Sequence, residues 1–506
     1  MIFFVRALVA LIVAVAGVRT ALIAVYQAWE VPDRLAVYFT EPQSVHLARR
    51  VQLGESLYPE WRSFPYVVNV FTPGYFWVVG LIGRAMNANV EVLQWLGRGV
   101  TILCAVIGAT LIAFAMRRHG RAAMAAAAGT AIESGFLLGF GWMARPDMAA
   151  DMFGFAGFLS ATSPASVGLA IALLSAGMLC KQTSVLYLIA AVAALVWQKR
   201  RGRAGVVFAG SIIVTLLVLG VVFATGERRI FADIVLEAGT PWRWAHWQTI
   251  AQRCFIRAGD ELVIAIIGFV FWTRRLRDGD SEEALEAKRW LALVAAATIL
   301  GGVGTAKIGS DVNYYLPLRY VAAAALGGLV GGMRDWSTSM STSDASIPRP
   351  HATWNIVGAL MALLAVADWG LTMRALLSQH PTRDPNKERL REAYAREVEA
   401  LTRLSQTQPV FTNCDDLSLR IDNPFVDSFL FKMLADTGRL DPKALTARLR
   451  RGEYHTVATL GAVEDPSYVE SPFGLPATVA AAVLERYERK SRGVFYYYRL
   501  KTGAKE

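Results

Sequence analysis

Most of what marks a metal- or nucleotide-dependent soluble enzyme is missing from this 506-residue chain. The four cysteines, Cys104, Cys180, Cys254 and Cys414, show no CxxC spacing, and the six histidines show neither HxH nor HxxxH pairing. No metal site or dithiol centre is therefore indicated, although a bound divalent metal is not excluded. Glycine-rich runs exist at Gly301-Gly302-Val303-Gly304 and at Gly327 to Gly332, but they lie in apolar stretches, where glycine serves close helix packing rather than a phosphate loop. Charge is scarce at 18% of residues, and no repeat period is present. The net charge of +11 resides mostly in short clusters between apolar blocks, where Arg and Lys set membrane topology, so nucleic acid is not an expected partner.

Apolar sequence fills the rest, at 54% hydrophobic residues. The blocks run about 16–24 residues, enough for a helix to cross ~30 Å of hydrocarbon while satisfying its own backbone hydrogen bonds. Spans are expected at 2–26, 98–116, 121–143, 148–162, 165–181, 184–197, 204–224, 260–273, 289–305, 315–333 and 352–375. The first is long enough to read as an uncleaved span rather than a signal peptide. A twelfth apolar segment, 72–88, begins Thr72-Pro73-Gly74 and carries Arg84, which suits an interfacial amphipathic helix. With that segment lying flat, the basic clusters Arg117-Arg118-His119-Gly120-Arg121, Lys199 to Arg203, Arg274-Arg275 with Lys288-Arg289, and Arg334 with Arg349 all face the cytoplasm.

The expected architecture is a polytopic α-helical membrane protein of about eleven transmembrane helices, N-terminus inside, with a small C-terminal soluble α/β domain outside. Residues 1–375 form the membrane domain, with a first outer loop at 27–97 and further outer segments at Arg145-Pro146-Asp147, 225–259 and 306–314. In 376–506 the charge becomes dense. There the pattern predicts a helix over 389–404 and strands at 409–412, 456–460 and 494–498. Ser337 to Pro350 reads as a Ser/Thr/Pro-rich inner loop, and Cys254 and Cys414 are the two cysteines that could share an oxidising compartment.

Several charges sit at or within apolar blocks on the expected outer side. Glu41 precedes Pro42 at the head of a helix over 42–53, where a carboxylate is favoured by unpaired N–H groups, so a helix-capping role competes with a chemical one. Arg98, Arg145, Asp147, Lys181, Lys307 and Asp311 are costly at such depth unless partnered, with snorkelling or an Arg145–Asp147 pair as the bland account. Four cations from four different turns beside a carboxylate suit a lipid phosphate and an acid/base group. The loop 27–97 adds Asp33, His46, Arg49, Arg50, Glu55, Tyr58, Trp61, Arg62 and Tyr66. The stretch Pro241-Trp242-Arg243-Trp244-Ala245-His246-Trp247 suits an aromatic belt or a sugar-stacking lid.

The order of these features, Glu41 to Ala48, Gly54, Tyr58-Pro59, Thr72-Pro73, Arg98, Arg145-Pro146-Asp147, Lys181-Gln182-Thr183 and Gly309-Ser310 with Asn313-Tyr314, resembles the GT-C superfamily of membrane glycosyltransferases. The group in view holds relatives of protein O-mannosyltransferases, aminoarabinose transferases and rhizobial lipopolysaccharide glycosyltransferases. The resemblance implies an inverting transferase that moves a sugar from a polyprenyl-phosphate donor to a glycan, lipid or protein acceptor at the periplasmic face of a bacterial inner membrane, with no cofactor. By position it implies Glu41 as general base and Asp147 as a supporting acid. Arg98, Arg145, Lys181 and Lys307 would contact the donor phosphate, while Arg49, Tyr58, Asn313, Tyr314 and His246 would line the substrate. The chain departs from the family in showing Thr40-Glu41 where two adjacent acids are usual. A transporter or flippase of lipid-linked sugars is the rival from another class, and a non-catalytic assembly protein is a third reading. The large first outer loop and the lack of a hydropathy repeat weigh against transport.

Overall fold

The computed structural model describes residues 40–137, 140–237, 242–276, 281–307, 312–339, 385–421 and 423–501, with Ala10 and Ala14 as single helical positions. The rest of the expected first span, the span 352–375, Asp33, Pro241, Gly309, Ser310 and Asp311 lie outside these residues.

The helices described before residue 340 are α1 (Thr40–Leu53), α2 (Gly74–Ala85), α3 (Val90–Ala115), α4 (Arg121–Leu137), α5 (Asp147–Thr162), α6 (Val167–Cys180), α7 (Val185–Trp197), α8 (Arg201–Ala224), α9 (Trp244–Arg275), α10 (Glu282–Thr305) and α11 (Leu318–Ser339). Helices α3, α8 and α10 are long and apolar enough to cross a membrane, and α6 and α7 are shorter apolar helices. Local chemistry sets their ends. The Asn89 side chain accepts from the Val92 N–H to start α3, and Ser281 does the same with Ala284 for α10, whose first turn carries Glu282 and Glu283. Helix α2 has only 12 residues, about 18 Å of rise, too short to cross. It lies instead along α1, and Gly80 permits the contact because a Cβ there would overlap the Ala48 carbonyl.

One expectation needs correction. The segment 225–259 is not a loop throughout, because α9 runs for 32 residues from Trp244 and absorbs its second half. Its aromatic and polar residues follow one another at helical rather than loop spacing, and Cys254 is a buried helical residue. All four cysteines are free and buried, so Cys254 and Cys414 do not pair.

The basic clusters meet at one end of the bundle. Arg118 pairs with Glu286, Arg275 lies 3.7 Å from Glu283, and the Gln198 side chain donates to the Leu285 carbonyl. The opposite end carries Glu41, Arg98, Asp147, Lys181 and the C-terminal domain.

The C-terminal part of the chain, referred to as the C-terminal domain, contains α12 (Pro385–Ser405), β1 (Val410–Thr412), α13 (Asp415–Ser418), α14 (Ser428–Asp436), α15 (Lys443–Arg450), β2 (Thr456–Thr459), α16 (Pro466–Glu470), α17 (Ala477–Arg486), β3 (Tyr487–Arg492) and β4 (Tyr496–Leu500). Its sheet runs β1-β2-β4-β3, with β1 and β2 parallel in the register Val410↔Thr456 and the other pairs antiparallel. Strand β3, Tyr-Glu-Arg-Lys-Ser-Arg, was not expected from the sequence; it is an exposed edge strand without alternating apolar residues. The core is shared with the loop after α1: Trp61, Tyr66 and Val68 pack among Phe411, Phe425, Phe431 and Tyr498. The Tyr66 N–H donates to the Pro424 carbonyl at 2.7 Å.

Candidate active site

Asp147 opens α5 just after Pro146, a residue suited to the first turn of a helix. Lys181, arriving from the end of α6, places its Nζ 2.5 Å from Oδ1 of Asp147, and the Asn313 amide donates to the same oxygen at 2.6 Å. The Nε of Arg145 lies 3.1 Å from Oδ2. Three distant segments thus converge on one carboxylate, with Arg145, Asp147 and Lys181 all buried. The Tyr314 ring stands 5.9 Å from Nζ of Lys181 and the Phe71 ring 5.3 Å from it, so the ammonium is enclosed by aromatic faces.

This cluster borders a cavity of about 260 Å³ walled by Asp147, Lys181, Ser184, Trp242, Asn313 and Tyr314. Gly301 and Gly304 of α10 form part of the wall because Tyr314 fills the space their side chains would need: a Cβ at Gly301 would lie 2.8 Å from the Tyr314 carbonyl oxygen, and one at Gly304 would overlap the ring. These glycines therefore shape the cavity as well as pack helices.

Glu41 is held differently. It lies in the first turn of α1, wholly buried, and its two oxygens meet Nε and Nη2 of Arg98 at 2.8 Å each, a bidentate pair. The Ala144 N–H donates to Oε1 at 2.9 Å and the Gln94 amide to Oε2 at 3.3 Å. Neither Glu41 nor Arg98 borders the 260 Å³ cavity. The two clusters are nevertheless joined, since Ala144, bound to Glu41, precedes Arg145, bound to Asp147. The Thr101 hydroxyl adds a hydrogen bond to the Arg145 carbonyl at 3.3 Å.

A third charged group was missed by sequence reading. One turn below Asp147, Asp151 meets Nη2 of Arg319 at 2.6 Å and accepts from the Tyr187 hydroxyl, while Arg319 also bonds Tyr320. The signal was present: Asp151 lies four residues after Asp147 on the same helical face, and Arg319 interrupts the apolar start of α11. Asp151 reaches the floor of the cavity.

The remaining expected residues are dispersed. Lys307 forms a backbone bridge with Trp242 and lies within electrostatic reach of Lys181, though not on the cavity wall. Tyr58 is buried with its hydroxyl on the Phe71 carbonyl at 2.6 Å. His246 is half-buried in the first turn of α9, near the stacked rings of Trp244 and Trp247. Arg49 faces a different, larger cleft between α1 and the C-terminal domain. Among the described residues, no group of three or more His, Cys, Asp or Glu is arranged to hold a metal ion.

No family model and no curated protein matches this sequence. The fold does have solved counterparts. The apo crystal structure of ArnT from Cupriavidus metallidurans superposes with a TM-score of 0.58 at 13% identity, covering 95% of this chain and 97% of that one. The Archaeoglobus fulgidus oligosaccharyltransferase, tethered to an acceptor peptide containing the NVT sequon, gives 0.52 at 12% identity, covering 97% of this chain and 74% of that one. The same oligosaccharyltransferase in complex with Zn and sulfate gives 0.52, also at 12% identity, with 97% and 73% covered. The chain therefore shares the fold of these structures, in line with the order of motifs, and three of its described helices are long and apolar enough to cross a membrane.

Proposed function

We propose that the chain is a glycosyltransferase that moves a sugar from a polyprenyl-phosphate donor to an acceptor hydroxyl at the periplasmic face of a bacterial inner membrane. In this reading about eleven helices cross the bilayer, the basic end of the bundle faces the cytoplasm, and the C-terminal domain stands in the periplasm. The observation that carries it is the cavity-side cluster: Arg145 and Lys181 share the single carboxylate of Asp147, leaving a surplus of positive charge beside the wall. A cation surplus in a largely dry site favours a bound phosphate, and Asn313 and Tyr314 line the same cavity, which supports reading them as headgroup contacts.

The chemistry follows from this placement. The acceptor oxygen attacks the anomeric carbon from the face opposite the phosphate, the C–O bond to the phosphate breaks, and its electron pair leaves with the polyprenyl phosphate. Arg145 and Lys181 stabilise the charge gathering on that leaving group. We assign the acceptor proton to Asp147, which stands on the cavity wall. Glu41, named by the resemblance as the base, is a positioning residue in this arrangement: through Ala144 it fixes the segment that carries Arg145 and Asp147. A transporter reading finds less support, because the deep charges pair with one another at one end of the bundle instead of lining a path through it.

The test is release of polyprenyl phosphate from a radiolabelled donor by purified protein in nanodiscs, with a membrane extract as acceptor source. Lys181→Met is expected to slow release by about 10²–10³-fold with folding intact. Protein that moves labelled donor across vesicles without cleaving it would overturn the assignment.

A further inference from the structure

A second, larger cleft of about 1200 Å³ lies between α1 and the C-terminal domain, on the flank of α1 that carries His46, Arg49 and Arg50. Its far wall comes from α12 and from the segment that includes Arg420 and Asn423. Its volume exceeds that of an ordinary small-ligand pocket and suits several sugar rings.

Its charges are unevenly satisfied. Arg50 is 3.0 Å from Glu55 and donates to the Ser56 carbonyl at 2.6 Å. Arg420 pairs with Glu91 at 3.4 Å and with Asp416 at 3.5 Å. Glu399, also on the wall, pairs with Arg403 at 3.8 Å. Arg49 has no ion-pair partner among the described residues, and His46 Nε2 is enclosed without a hydrogen-bond partner. Burial and the neighbouring Arg50 and Arg49 push the His46 imidazole down to about 3, so it stays neutral and can donate to or accept from a hydroxyl. The cleft thus offers one uncompensated guanidinium and one unused neutral imidazole nitrogen in a space of saccharide size.

The cleft is also joined to the candidate active site. Helix α1 carries both Glu41 and the cleft residues, 5–9 positions apart, or about 8–14 Å along the axis. On the opposite wall, Val426 is followed by Asp427, whose carboxylate lies within electrostatic reach of Arg145.

We propose that this cleft binds an anionic saccharide portion of the acceptor, a phosphorylated or uronic-acid sugar, with Arg49 on the anion and His46 on a sugar hydroxyl. The inference rests on the transferase reading given above. It places the acceptor along the flank of α1 while the donor enters beside Tyr314.

The test uses the full chain in nanodiscs, titrated calorimetrically with trigalacturonate and with neutral maltotriose, and requires no turnover. Trigalacturonate is expected to bind at least about tenfold more tightly than maltotriose, and Arg49→Gln to remove about tenfold of that affinity. His46→Gln should weaken both sugars by a few-fold, whereas Arg396→Ala, which like its partner Glu392 is not on the cleft wall, should change neither. Unchanged thermal unfolding of Arg49→Gln separates lost binding from lost folding. Equal affinity for the two sugars, full affinity in Arg49→Gln, or no binding of trigalacturonate would each overturn the inference. Inorganic phosphate competing as strongly as trigalacturonate would reduce the site to a simple anion contact and overturn the saccharide part. Donor cleavage without trigalacturonate binding would sink this inference alone; binding without any cleavage or transfer would sink the transferase reading alone.

Discussion

Glu41 with Arg98 and Asp147 with Lys181 are both buried acid–cation pairs at the same end of one bundle, yet their surroundings give them different work. The first is closed: both carboxylate oxygens are matched by Arg98, and Gln94 and a backbone N–H complete the shell. The second is crowded on the cation side and open to a cavity, with Lys181, Arg145 and Asn313 converging on one acid. A closed pair serves geometry, whereas a pair with surplus charge beside a cavity can take up another anion. Burial alone, equal in the two cases, does not tell structure from function; the balance of charge and the access do.

Removing one member of the closed pair is the harshest way to probe this contrast. Arg98→Met leaves the Glu41 carboxylate buried and unmatched, and is expected to cost about 3–5 kcal/mol in chemical unfolding. The double variant Glu41→Gln with Arg98→Met should recover most of that loss, because no lone charge remains. A double variant as unstable as the single one would break the account of Glu41 as a matched structural partner. At the cavity the order reverses: Lys181→Met leaves Asp147 matched by Arg145 and should disturb unfolding far less than Arg98→Met, while lowering turnover at saturating donor about 10²-fold or more. A smaller effect tests the cavity wall. Gly304→Ala pushes a methyl group into the Tyr314 ring and should raise the KM for donor several-fold, through displacement of Tyr314, with kcat less affected.

The smallest expected effect concerns Asp427, where the C-terminal domain approaches Arg145. Burial raises its carboxyl from 3.8 to about 6. An acid raised in the folded state contributes stability below its unfolded pKa and loses it as pH climbs through the folded value. Domain stability should therefore fall between about pH 4 and 7, and Asp427→Asn should flatten that slope and gain about 1–2 kcal/mol at pH 8. Unfolding curves for the two proteins that run parallel from pH 5 to 8 would remove Asp427 from this account.

The sequence showed the charges that matter most because each interrupts an apolar run: Arg145, Asp147 and Lys181 all enter the observed cluster, joined by the polar pair Asn313-Tyr314. It could not show which acid each cation would choose. Arg98 turned to Glu41, 57 residues away, and Lys181 to Asp147, 34 away, choices set by helix packing. Arg49 was expected to line the substrate together with Asn313 and Tyr314, but its position on α1 puts it on the wall of the other cleft. Strand β3 was hidden because an edge strand facing water carries no alternating pattern. The helical reading of 42–53, by contrast, was nearly complete, since Pro42 and the polar spacing are local signals.

The tyrosine that joins the loop after α1 to the C-terminal domain has a bearing on how the chain is made. Tyr66 meets the Asp441 carbonyl across 375 residues of sequence. At about 5–20 residues per second, a ribosome needs roughly 20–75 s to supply that partner. Throughout that interval Trp61 and Tyr66 wait without the rings they finally pack against, so this loop is where a folding helper would have most to shield, and a message cut short before the codon for Phe411 would leave it unmated.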